Sequence, residues 1–392
     1  MKIWPLFILQ VFSLFALYLP QGTLAGCFQS KHISEIATTS HGGQNRCHCQ
    51  QFTIRELREQ ININQIELNV QPLHNNIGFG GFGGVSYLII KLPYHCKFKV
   101  KHAFNLHQNK CYALKISQIH YEGRKNAVQR ELAVLNYFNT LNVQQRSHII
   151  KMHAWREDSE DNKMYFLLEL GGKSLKNYYR QKIVERNGEN NRDSPRMEEQ
   201  LLLNILKGAA QALQQFHQHG IHLDVKEDNF LIALNEHQSE PSPGRESNET
   251  IPVKLIDFNI SVINSEGHDA NTEFMADGIK APELLYEHPI SDRIQCFEIR
   301  RFFLWLMTFG LFSNEDYVKS YYEGIMNNML LPYMNNTNYN TRLDQLIKAC
   351  VQENPNDRPS MNAIVSFLRS LCDYFHYERY RPRGSRARLC IN

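Results

Sequence analysis

Apolar positions recur along the chain with two spacings, one typical of strands and the other of helices. Short apolar runs at Cys111–Ile116 and Met164–Leu170 have the length of buried strands, and a third such stretch, interrupted by glycines, ends in Val85–Ile90. Apolar residues three and four apart between Ala127 and Phe138 predict a helix with one buried face, and Leu201–His217 predicts a long buried helix. Strands therefore dominate the first half and helices the second.

Three segments show neither spacing. Residues 26–70 are polar and mixed, apart from a helix-like stretch at Thr53–Gln60. The basic, His-rich segment Pro93–Lys110 is predicted to be a connection between two strands, which a Cys96–Cys111 disulfide could close. Asn235–Ile251 is rich in Ser, Pro, Glu and Asn, and this composition predicts an exposed insertion loop.

The N-terminus is the most strongly biased part of the sequence. Lys2 precedes an almost unbroken apolar run, Ile3–Leu19, and Thr23-Leu24-Ala25 supplies small residues where a signal peptidase reads. The pattern predicts a secretory signal peptide, residues 1–25, cleaved after Ala25. The alternative is an uncleaved anchor, but the run is near the lower limit for spanning a bilayer. We therefore expect the protein to be secreted or to reside in the lumen of the secretory pathway.

Composition limits the class of protein. Hydrophobic residues make up 42% of the 392 residues, which excludes a disordered, collagen-like or coiled-coil chain. The 43 basic residues balance 40 acidic ones, so net charge gives no reason to expect a nucleic-acid partner. Three glycosylation sequons, beginning at Asn248, Asn259 and Asn335, add weak support for a secreted glycoprotein.

The nine cysteines are spread along the whole chain and would meet an oxidising environment after secretion. Because their number is odd, at least one has no intramolecular disulfide partner. Cys47-His48-Cys49 has the composition of a metal-binding tripeptide. No second Cys/His pair stands at zinc-finger spacing, however, so the sequence argues against a metal site there.

The glycine-rich segment Gly78-Phe79-Gly80-Gly81-Phe82-Gly83-Gly84-Val85 fits the pattern G-x-G-x-x-G-x-V and lies between strand-like stretches. Glycines let a backbone turn approach phosphate oxygens, which accept hydrogen bonds from its N–H groups. A dinucleotide-binding fold would need a helix directly after this loop, and a P-loop would need a terminal Gly-Lys-Ser/Thr. Neither follows here.

Lys115 lies in the middle of the predicted strand Cys111–Ile116. A lysine in that position usually points to solvent; in the arrangement that the family resemblance described below implies, it would instead bind phosphates and be held by a helix glutamate. Glu131 stands sixteen residues later on the predicted helix and is well placed to hold it. Glu122 is a poorer candidate because too little chain separates it from the strand.

The most specific segment is Ile221–Leu231, in which His222, Asp224, Lys226 and Asn229 match H-x-D-x-K-x-x-N. A carboxylate, an ammonium and an amide at these intervals can meet a nucleophilic hydroxyl, a γ-phosphate and a metal ion respectively. Asp257 ends a further predicted strand and can hold a magnesium ion across the β- and γ-phosphates. The series is completed by Ala281-Pro282-Glu283 and by the segment 354–359.

In this order and spacing the segments resemble the eukaryotic protein kinase family over about residues 70–375. The resemblance implies a two-lobed α+β fold, with a β-rich N-lobe at about 71–170 and a helical C-lobe at about 171–375. A Cys-containing extension, 26–70, would precede this domain and an Arg-rich tail, 376–392, would follow it. ATP would bind between the lobes with Mg²⁺, or with Mn²⁺ as the alternative metal.

The resemblance also implies a role for each candidate residue. Asp224 would accept or orient the proton of the substrate hydroxyl, and Lys226 would steady the transferring phosphoryl group. Asn229 and Asp257 would bind the metal, while Lys115 paired with Glu131 would position the α- and β-phosphates. The nucleotide cleft would be formed by Gly78, Gly80, Gly83, Val85, Ala113, Glu169, Gly171 and Leu231, with Leu168 as the gatekeeper.

Three positions depart from the family pattern. Leu223 stands where an arginine commonly docks an activation-loop phosphate, so we expect activity without such phosphorylation. Asn259 replaces the glycine that follows the metal-binding Asp-Phe pair, and asparagine tolerates positive φ better than most residues. The segment Gln295–Arg300 aligns with a helix where the family usually carries an aspartate and a glycine; that aspartate braces the catalytic loop, whose support must here come from elsewhere.

The function expected from this resemblance is transfer of the ATP γ-phosphate to Ser/Thr hydroxyls of proteins, with the Ser/Thr preference resting on Lys226. The alternative is a secreted pseudokinase that acts as a binding or scaffolding module. After signal cleavage no membrane span is expected. The tail, with five arginines from Arg379 to Arg388, is either solvated or the contact for an acidic partner.

Overall fold

The computed structural model describes residues 46–72, 78–80, 98–187, 199–235, 250–263, 346, 349, 358–373, 375 and 388–390. The described strands are β1 (Glu59–Ile63), β2 (Ile66–Val70), β3 (Gly78–Gly80), β4 (Phe98–Asn105), β5 (Lys110–Gln118), β6 (Met152–Asp158), β7 (Lys163–Glu169), β8 (Gly220–Ile221), β9 (Phe230–Ile232), β10 (Val253–Leu255) and β11 (Val262–Ile263). The described helices are α1 (Glu122–Thr140), α2 (Leu175–Asn187), α3 (Glu199–His217) and α4 (Met361–Leu368).

The strand-rich half is one antiparallel sheet in the order β1-β2-β4-β5-β7-β6, with β3 paired to β4. Alternation along β5 sends Ala113 to the face that packs against α1, and Tyr112 and Leu114 to the opposite face. Both faces are therefore apolar. Lys115 shares the Ala113 face, because residues two apart on a strand point the same way.

The helical half is built around α3. Leu213 and Phe216 on this helix are fully buried, and the helix packs against α4 and β10. Gly208 lets α3 approach the chain closely, since a Cβ atom at that position would overlap the Ile251 carbonyl oxygen. The β9–β10 pair joins segments from either side of the predicted insertion loop and holds Phe230 opposite Leu255.

The structure confirms four elements predicted from periodicity. The runs Cys111–Ile116 and Met164–Leu170 fall in β5 and β7, and the helical patterns at Ala127–Phe138 and Leu201–His217 fall in α1 and α3. Val85–Ile90 and nearly all of the predicted insertion loop lie outside the described residues. So does the proposed signal peptide.

Two sequence predictions were wrong. The segment Pro93–Lys110 is not simply a connection, since it contains the eight-residue strand β4. Its alternation was obscured because Lys101 occupies a buried position, where it pairs with Glu59 at 2.6 Å and is only 1% exposed. Thr53–Gln60 is not a helix either: a single 3₁₀ turn, Ile54–Glu56, gives way to β1.

The end of the segment predicted as a helix belongs to a β hairpin, since β1 begins at Glu59 and pairs with β2. Ile63 pairs with Ile66, so the connection has two residues, and both Asn64 and Gln65 have positive φ, at 46° and 68°. Two successive positive φ values define the tight turn that suits the twist of a hairpin. The side chain of Asn62 accepts a hydrogen bond from the Gln65 N–H at 3.0 Å and stabilises the turn.

The C-terminal end is fixed to the helical half by a covalent bond. Cys372 and Cys390 form a disulfide, and both residues are buried. Next to it, Arg388 donates from its backbone N–H to Asp373 at 2.9 Å and from its guanidinium to the Ser370 carbonyl at 2.7 Å. In the part of the chain that the structure describes, no helix is long and apolar enough to cross a membrane.

Candidate active site

Lys115, Glu131 and Asp257 form a buried charge cluster between the sheet and the helical half. The Lys115 ammonium donates to both carboxylate oxygens of Glu131, at 2.7 and 2.8 Å, and to Oδ1 of Asp257 at 2.9 Å. The side chains are 6%, 3% and 11% exposed respectively. One ammonium with three N–H groups is thus shared between two carboxylates.

Burial and charge act against each other in this cluster. Burial disfavours the ammonium, but the negative charges of Asp257 and Glu131 outweigh it and raise the pKa of Lys115. Burial also raises the pKa of Glu131; Lys115 opposes the rise and Asp257 adds to it. For Asp257 burial alone would raise the pKa, but attraction by Lys115 and Lys226 lowers it. Lys115 and Asp257 therefore stay charged at neutral pH.

The position of each member follows from its element. Lys115 lies on β5 opposite Val100 of β4 and Phe166 of β7, so neighbouring strands fix its backbone on both sides. Glu131 lies on the face of α1 that buries Val128 and Phe138. The helix periodicity that predicts the buried face also places Glu131 over Lys115.

Asp224, Lys226 and Asn229 form a second group in the loop between β8 and β9. Lys226 donates to Oδ2 of Asp224 at 2.6 Å. The Asn229 amide nitrogen donates to the Asp224 backbone carbonyl at 2.8 Å and to the same Oδ2 at 3.2 Å. These bonds hold the Asp224 carboxylate in one orientation and turn the Asn229 side-chain oxygen away from it.

The loop is anchored by His222, which is fully buried. The His222 Nδ1 atom accepts from the Asp224 N–H at 3.2 Å, so Nε2 carries the proton and donates to the Ile256 carbonyl at 3.1 Å. Burial lowers the pKa of His222 and keeps this neutral form. The Ser261 hydroxyl donates to the His222 carbonyl at 2.8 Å. His222 thus ties the loop of Asp224 to the segment that carries Asp257.

An aromatic cluster connects the two groups through the core. The rings of Phe216 and Phe258 stack in parallel with centroids 5.4 Å apart, and Phe138 of α1 stacks on Phe216 at 5.2 Å. His222 contacts both Phe216 and Phe258 edge-on. Phe258 follows Asp257 directly, and His222 lies two residues before Asp224. The cluster therefore links the helix of Glu131 to the segments that carry Asp257 and Asp224.

The predicted nucleotide cleft is partly described. Ala113 of β5 pairs with Leu168 of β7, and both are buried in the core that also contains α1. Gly171 approaches Leu231 so closely that a Cβ on the glycine would lie 2.5 Å from Leu231 Cδ1. Within the described residues no acceptor binds the Gly171 N–H, whereas the Glu169 N–H donates to the Lys151 carbonyl at 2.7 Å.

The glycine-rich segment begins as a strand. Gly78 pairs with Val100 and Gly80 with Phe98, so the start of the motif is hydrogen-bonded to β4. Gly83 and Val85 lie outside the described residues, and their predicted contacts with the nucleotide stay predictions.

Sequence reasoning missed the contribution of β4 to the site. Val100 packs against the core that contains Ala113, and the Phe98 ring lies 4.3 Å from the Lys115 ammonium. The apolar alternation of Phe98, Val100 and the buried His102 could have revealed this strand, but the intervening lysines suggested a solvated connection.

Three positions depart from the family pattern, and the structure describes two of them, Leu223 and Asn259. Leu223 is fully buried with φ of 66°, so its side chain is part of the apolar interior. The positive φ near the aspartate that is predicted to bind a metal falls on Asp257 itself, at 67°, and not on Asn259 among the described residues. The reason given from sequence for an asparagine at position 259 was therefore wrong. Gln295 lies outside the described residues.

Asn259 instead makes a specific contact with Asp257. Its side-chain nitrogen donates to Asp257 Oδ1 at 3.0 Å, and the residue is 8% exposed. That nitrogen is the atom to which a glycan would be attached. We therefore expect the Asn259 sequon to remain unmodified in protein from a secretory host. Peptide mapping by mass spectrometry after enzymatic deglycosylation in heavy-oxygen water checks this, and a labelled aspartate at position 259 would contradict it.

A curled antiparallel sheet whose lysine binds a helix glutamate, joined to a helical half that carries the Asp224 loop, defines a two-lobed, kinase-like α+β protein. A family model described as "Protein kinase domain" matches residues 74–367. Since this match covers most of the sequence, the chain belongs to the protein kinase domain family.

Two curated relatives agree with the family. The chain is 26% identical over 225 residues to a carbon catabolite-derepressing protein kinase of Candida glabrata, covering 56% of this chain and 29% of that protein. It is also 26% identical over 171 residues to a serine/threonine/tyrosine-protein kinase of Arabidopsis thaliana, covering 43% of this chain and 38% of that one. The matches thus span about a third of each relative's length. The family generally uses ATP and a divalent metal and acts on protein substrates.

Proposed function

We propose that this protein is an active kinase of the secretory pathway or extracellular space that transfers the γ-phosphate of ATP to Ser/Thr hydroxyls of proteins. The observation that carries the proposal is the different hydrogen bonding of the two oxygens in the carboxylates of Asp224 and Asp257. In each, one oxygen is tied to neighbouring donors while the other has no described donor. Each carboxylate is therefore held in one orientation, and its second oxygen can still bind a metal ion or a substrate hydroxyl.

Asp257 and Asn229 fit a divalent metal. Both described donors to Asp257, Lys115 and Asn259, bind Oδ1, so Oδ2 keeps its lone pairs for a ligand. The Asn229 amide nitrogen is used by Asp224, so its carbonyl oxygen is the atom left for the metal. Carboxylate and amide oxygens are ligands that Mg²⁺ and Mn²⁺ prefer. These two residues would hold a metal on the nucleotide phosphates.

The cleft residues fit a nucleotide. The Gly171 N–H has no described acceptor, which leaves it able to donate to a base. Leu231 supplies apolar surface close to Gly171, and the buried Ala113 of β5 would supply a second apolar surface. Lys115 offers the positive charge that phosphates require. The bound ATP with its metal would supply the phosphoryl group and neutralise its charge during transfer.

Asp224 fits the substrate hydroxyl. Lys226 and Asn229 both bind Oδ2, so Oδ1 has no described donor and can accept the proton of an incoming hydroxyl. Lys226, which binds Asp224 at 2.6 Å, would steady the transferring phosphoryl group, and its presence at this position is the basis for proposing Ser/Thr over Tyr acceptors. Leu223 supports operation without a phosphate docked on this loop, because its apolar side chain offers no cation.

The Cys372–Cys390 disulfide supports the proposed compartment. Disulfides persist in secreted proteins and are rare in the reducing cytosol. The predicted signal peptide adds a second, independent argument, since it would direct the chain into that environment.

A pseudokinase that binds partners without transfer is the second candidate. One observation favours it: all three N–H groups of Lys115 face carboxylates, and the Phe98 ring lies against the ammonium. Phosphates would have to replace Asp257 as a partner of Lys115. A protein that only binds partners could keep Lys115 bound to both Glu131 and Asp257.

Phosphate transfer from labelled ATP to a generic protein acceptor distinguishes the two candidates. We expect transfer in the presence of Mg²⁺ or Mn²⁺, none with excess chelator, and label on phosphoserine and phosphothreonine after acid hydrolysis. Asp224→Asn should reduce transfer by about 10²–10⁴-fold, because the amide cannot accept the proton.

Asp228→Asn is the matched control, since Asp228 belongs to the same loop but pairs with Lys176 at 2.8 Å. It should retain activity close to that of the wild type. Labelling that Asp224→Asn leaves unchanged would overturn the proposal, as would nucleotide binding without transfer to any protein in a panel of acceptors.

A further inference from the structure

Four metal-ligating side chains converge at one end of the sheet, away from the catalytic groups. The sulfur atoms of Cys47, Cys49 and Cys111 and a ring nitrogen of His102 all lie within 4.8 Å of one another. Each of the four residues is buried. We call this set the Cys₃His cluster.

Two of the sulfurs come from a tight turn that precedes the hairpin. Cys47 donates its N–H to the Phe52 carbonyl and accepts from the Gln50 N–H, both at 2.9 Å, and Gln50 has φ of 62°. This turn brings the Cys47 and Cys49 sulfurs to 3.4 Å from each other. The Cys49 N–H then points at the Cys111 sulfur, with a nitrogen–sulfur distance of 3.4 Å.

The other two ligands come from β4 and β5. His102 pairs with Ala113 and Phe104 with Cys111 across these strands, so His102 and Cys111 are diagonal neighbours on one face of the sheet. The turn lies over that face, where the Phe52 ring contacts the His102 imidazole with centroids 4.6 Å apart. Sequence positions more than fifty residues apart therefore supply one compact site.

The distances suit a tetrahedral metal. Zinc–sulfur bonds of about 2.3 Å and zinc–nitrogen bonds of about 2.1 Å put neighbouring ligand atoms about 3.6–3.8 Å apart. The Cys47–Cys49 sulfur pair, at 3.4 Å, and the Cys49 sulfur–His102 Nε2 pair, at 3.9 Å, lie on either side of that range. A disulfide needs about 2.05 Å, so the first pair is not bonded.

The His102 side chain adds an independent reason to expect a ligand. It is fully buried, and its Nδ1 atom has no hydrogen-bond partner in the part of the chain that the structure describes. Its Nε2 atom lies 3.9 Å from the Cys49 sulfur, a distance at which a hydrogen bond to sulfur is weak. A buried imidazole with so little compensation is costly, and a bond from Nε2 to a metal would offset the part of that cost that falls on Nε2.

We propose that the Cys₃His cluster binds one structural Zn²⁺ ion through the three cysteine sulfurs and His102 Nε2. Three thiols lose their protons to solvent as the Zn–S bonds form, and no electron is transferred. Soft sulfur ligands with one imidazole and no carboxylate favour zinc over magnesium or calcium. Four protein ligands leave no open position, so the ion fastens the N-terminal turn to β4 and β5 and does not act in catalysis.

Metal content tests the proposal independently of kinase activity. The mature full-length protein, purified from a secretory host without a metal-affinity step, should contain about one zinc ion per chain by plasma mass spectrometry. After exchange, Co²⁺ should show the visible and thiolate charge-transfer absorption of a tetrahedral sulfur-rich site. Chelation of the folded protein should lower its melting temperature, and added Zn²⁺ should restore it.

Variants separate ligation from folding. His102→Ala and Cys49→Ser should reduce zinc to background, whereas His102→Cys should retain it, because four sulfurs also bind zinc tetrahedrally. The double variant Cys372→Ser/Cys390→Ser is the matched control: it removes two buried cysteines outside the cluster and should keep its zinc.

Three results would overturn the proposal. The first is wild-type protein with substoichiometric zinc, or with another metal in its place. The second is a disulfide within the cluster or between Cys96 and Cys111, found by peptide mapping under non-reducing conditions. The third is full zinc content in His102→Ala. Each can be obtained from the wild type or from a single folded variant.

Discussion

Lys115→Met is expected to abolish phosphate transfer and to destabilise the fold by about 3–5 kcal/mol, the typical result of removing one partner from a buried ion pair. The substitution leaves Glu131 and Asp257, 3% and 11% exposed, without the cation that they share. Two nearby buried carboxylates repel each other and are poorly solvated. Chemical denaturation at neutral pH should therefore show a marked loss, together with loss of transfer from ATP.

Two further variants distinguish the loss of stability from the loss of phosphate transfer. Adding Glu131→Gln to Lys115→Met removes one of the two buried carboxylates that have lost their ion-pair partner. The double variant should recover part of the stability without recovering activity. Lys101→Met is the matched control on the opposite face of β4. It also removes a buried lysine, but its partner Glu59 is 33% exposed and can be hydrated, and activity should persist. Equal losses of activity in the two lysine variants would contradict a specific role for Lys115.

Asp257→Asn is expected to remove metal-dependent nucleotide binding and to reduce transfer by at least about 10²-fold. The Lys115–Glu131 pair remains intact in this variant, and one of two competing carboxylates is gone, so the unliganded protein should melt close to the wild type. A thermal-shift titration with ATP and Mg²⁺ tests this directly. Wild-type protein should be stabilised by the ligand and Asp257→Asn should not, because binding to the folded state raises its stability.

Asn259→Gly is the control for Asp257→Asn. It removes the hydrogen bond to Oδ1 at 3.0 Å but keeps the carboxylate and restores the residue usual in the family. Activity should stay within a fewfold of the wild type. A loss as large as that of Asp257→Asn would instead mean that Asn259 itself is required to orient the aspartate.

The sequence predicts the parts of the site that depend on short-range spacing. Asp224 and Asn229 lie within one loop, so their contact follows from the chain itself, and the periodicity of α1 places Glu131 on its buried face. The Lys115–Glu131 contact was predicted from a resemblance, and its distance of 2.7 Å is a finding of the structure.

The sequence does not predict contacts that depend on burial of polar residues. Lys101 and His102 make β4 look like a solvated connection, because nothing local shows that Glu59 and the three cysteines cover them. The Cys₃His cluster was missed for the same reason. Its four residues lie on a turn and on two strands whose register is set by tertiary packing, so their separations match no local metal-binding pattern.

The disulfide between Cys372 and Cys390 makes the arginine-rich segment a covalent ring instead of a free end, since the two cysteines are 18 positions apart and all five tail arginines lie between them. A single protease cut inside the ring would leave both new ends attached to the protein. A ring also has fewer conformations to lose than an open tail when it contacts a polyanion. If the segment binds an acidic partner, reduction of this one bond would weaken that binding, and it would also let a single cleavage release arginines from the protein.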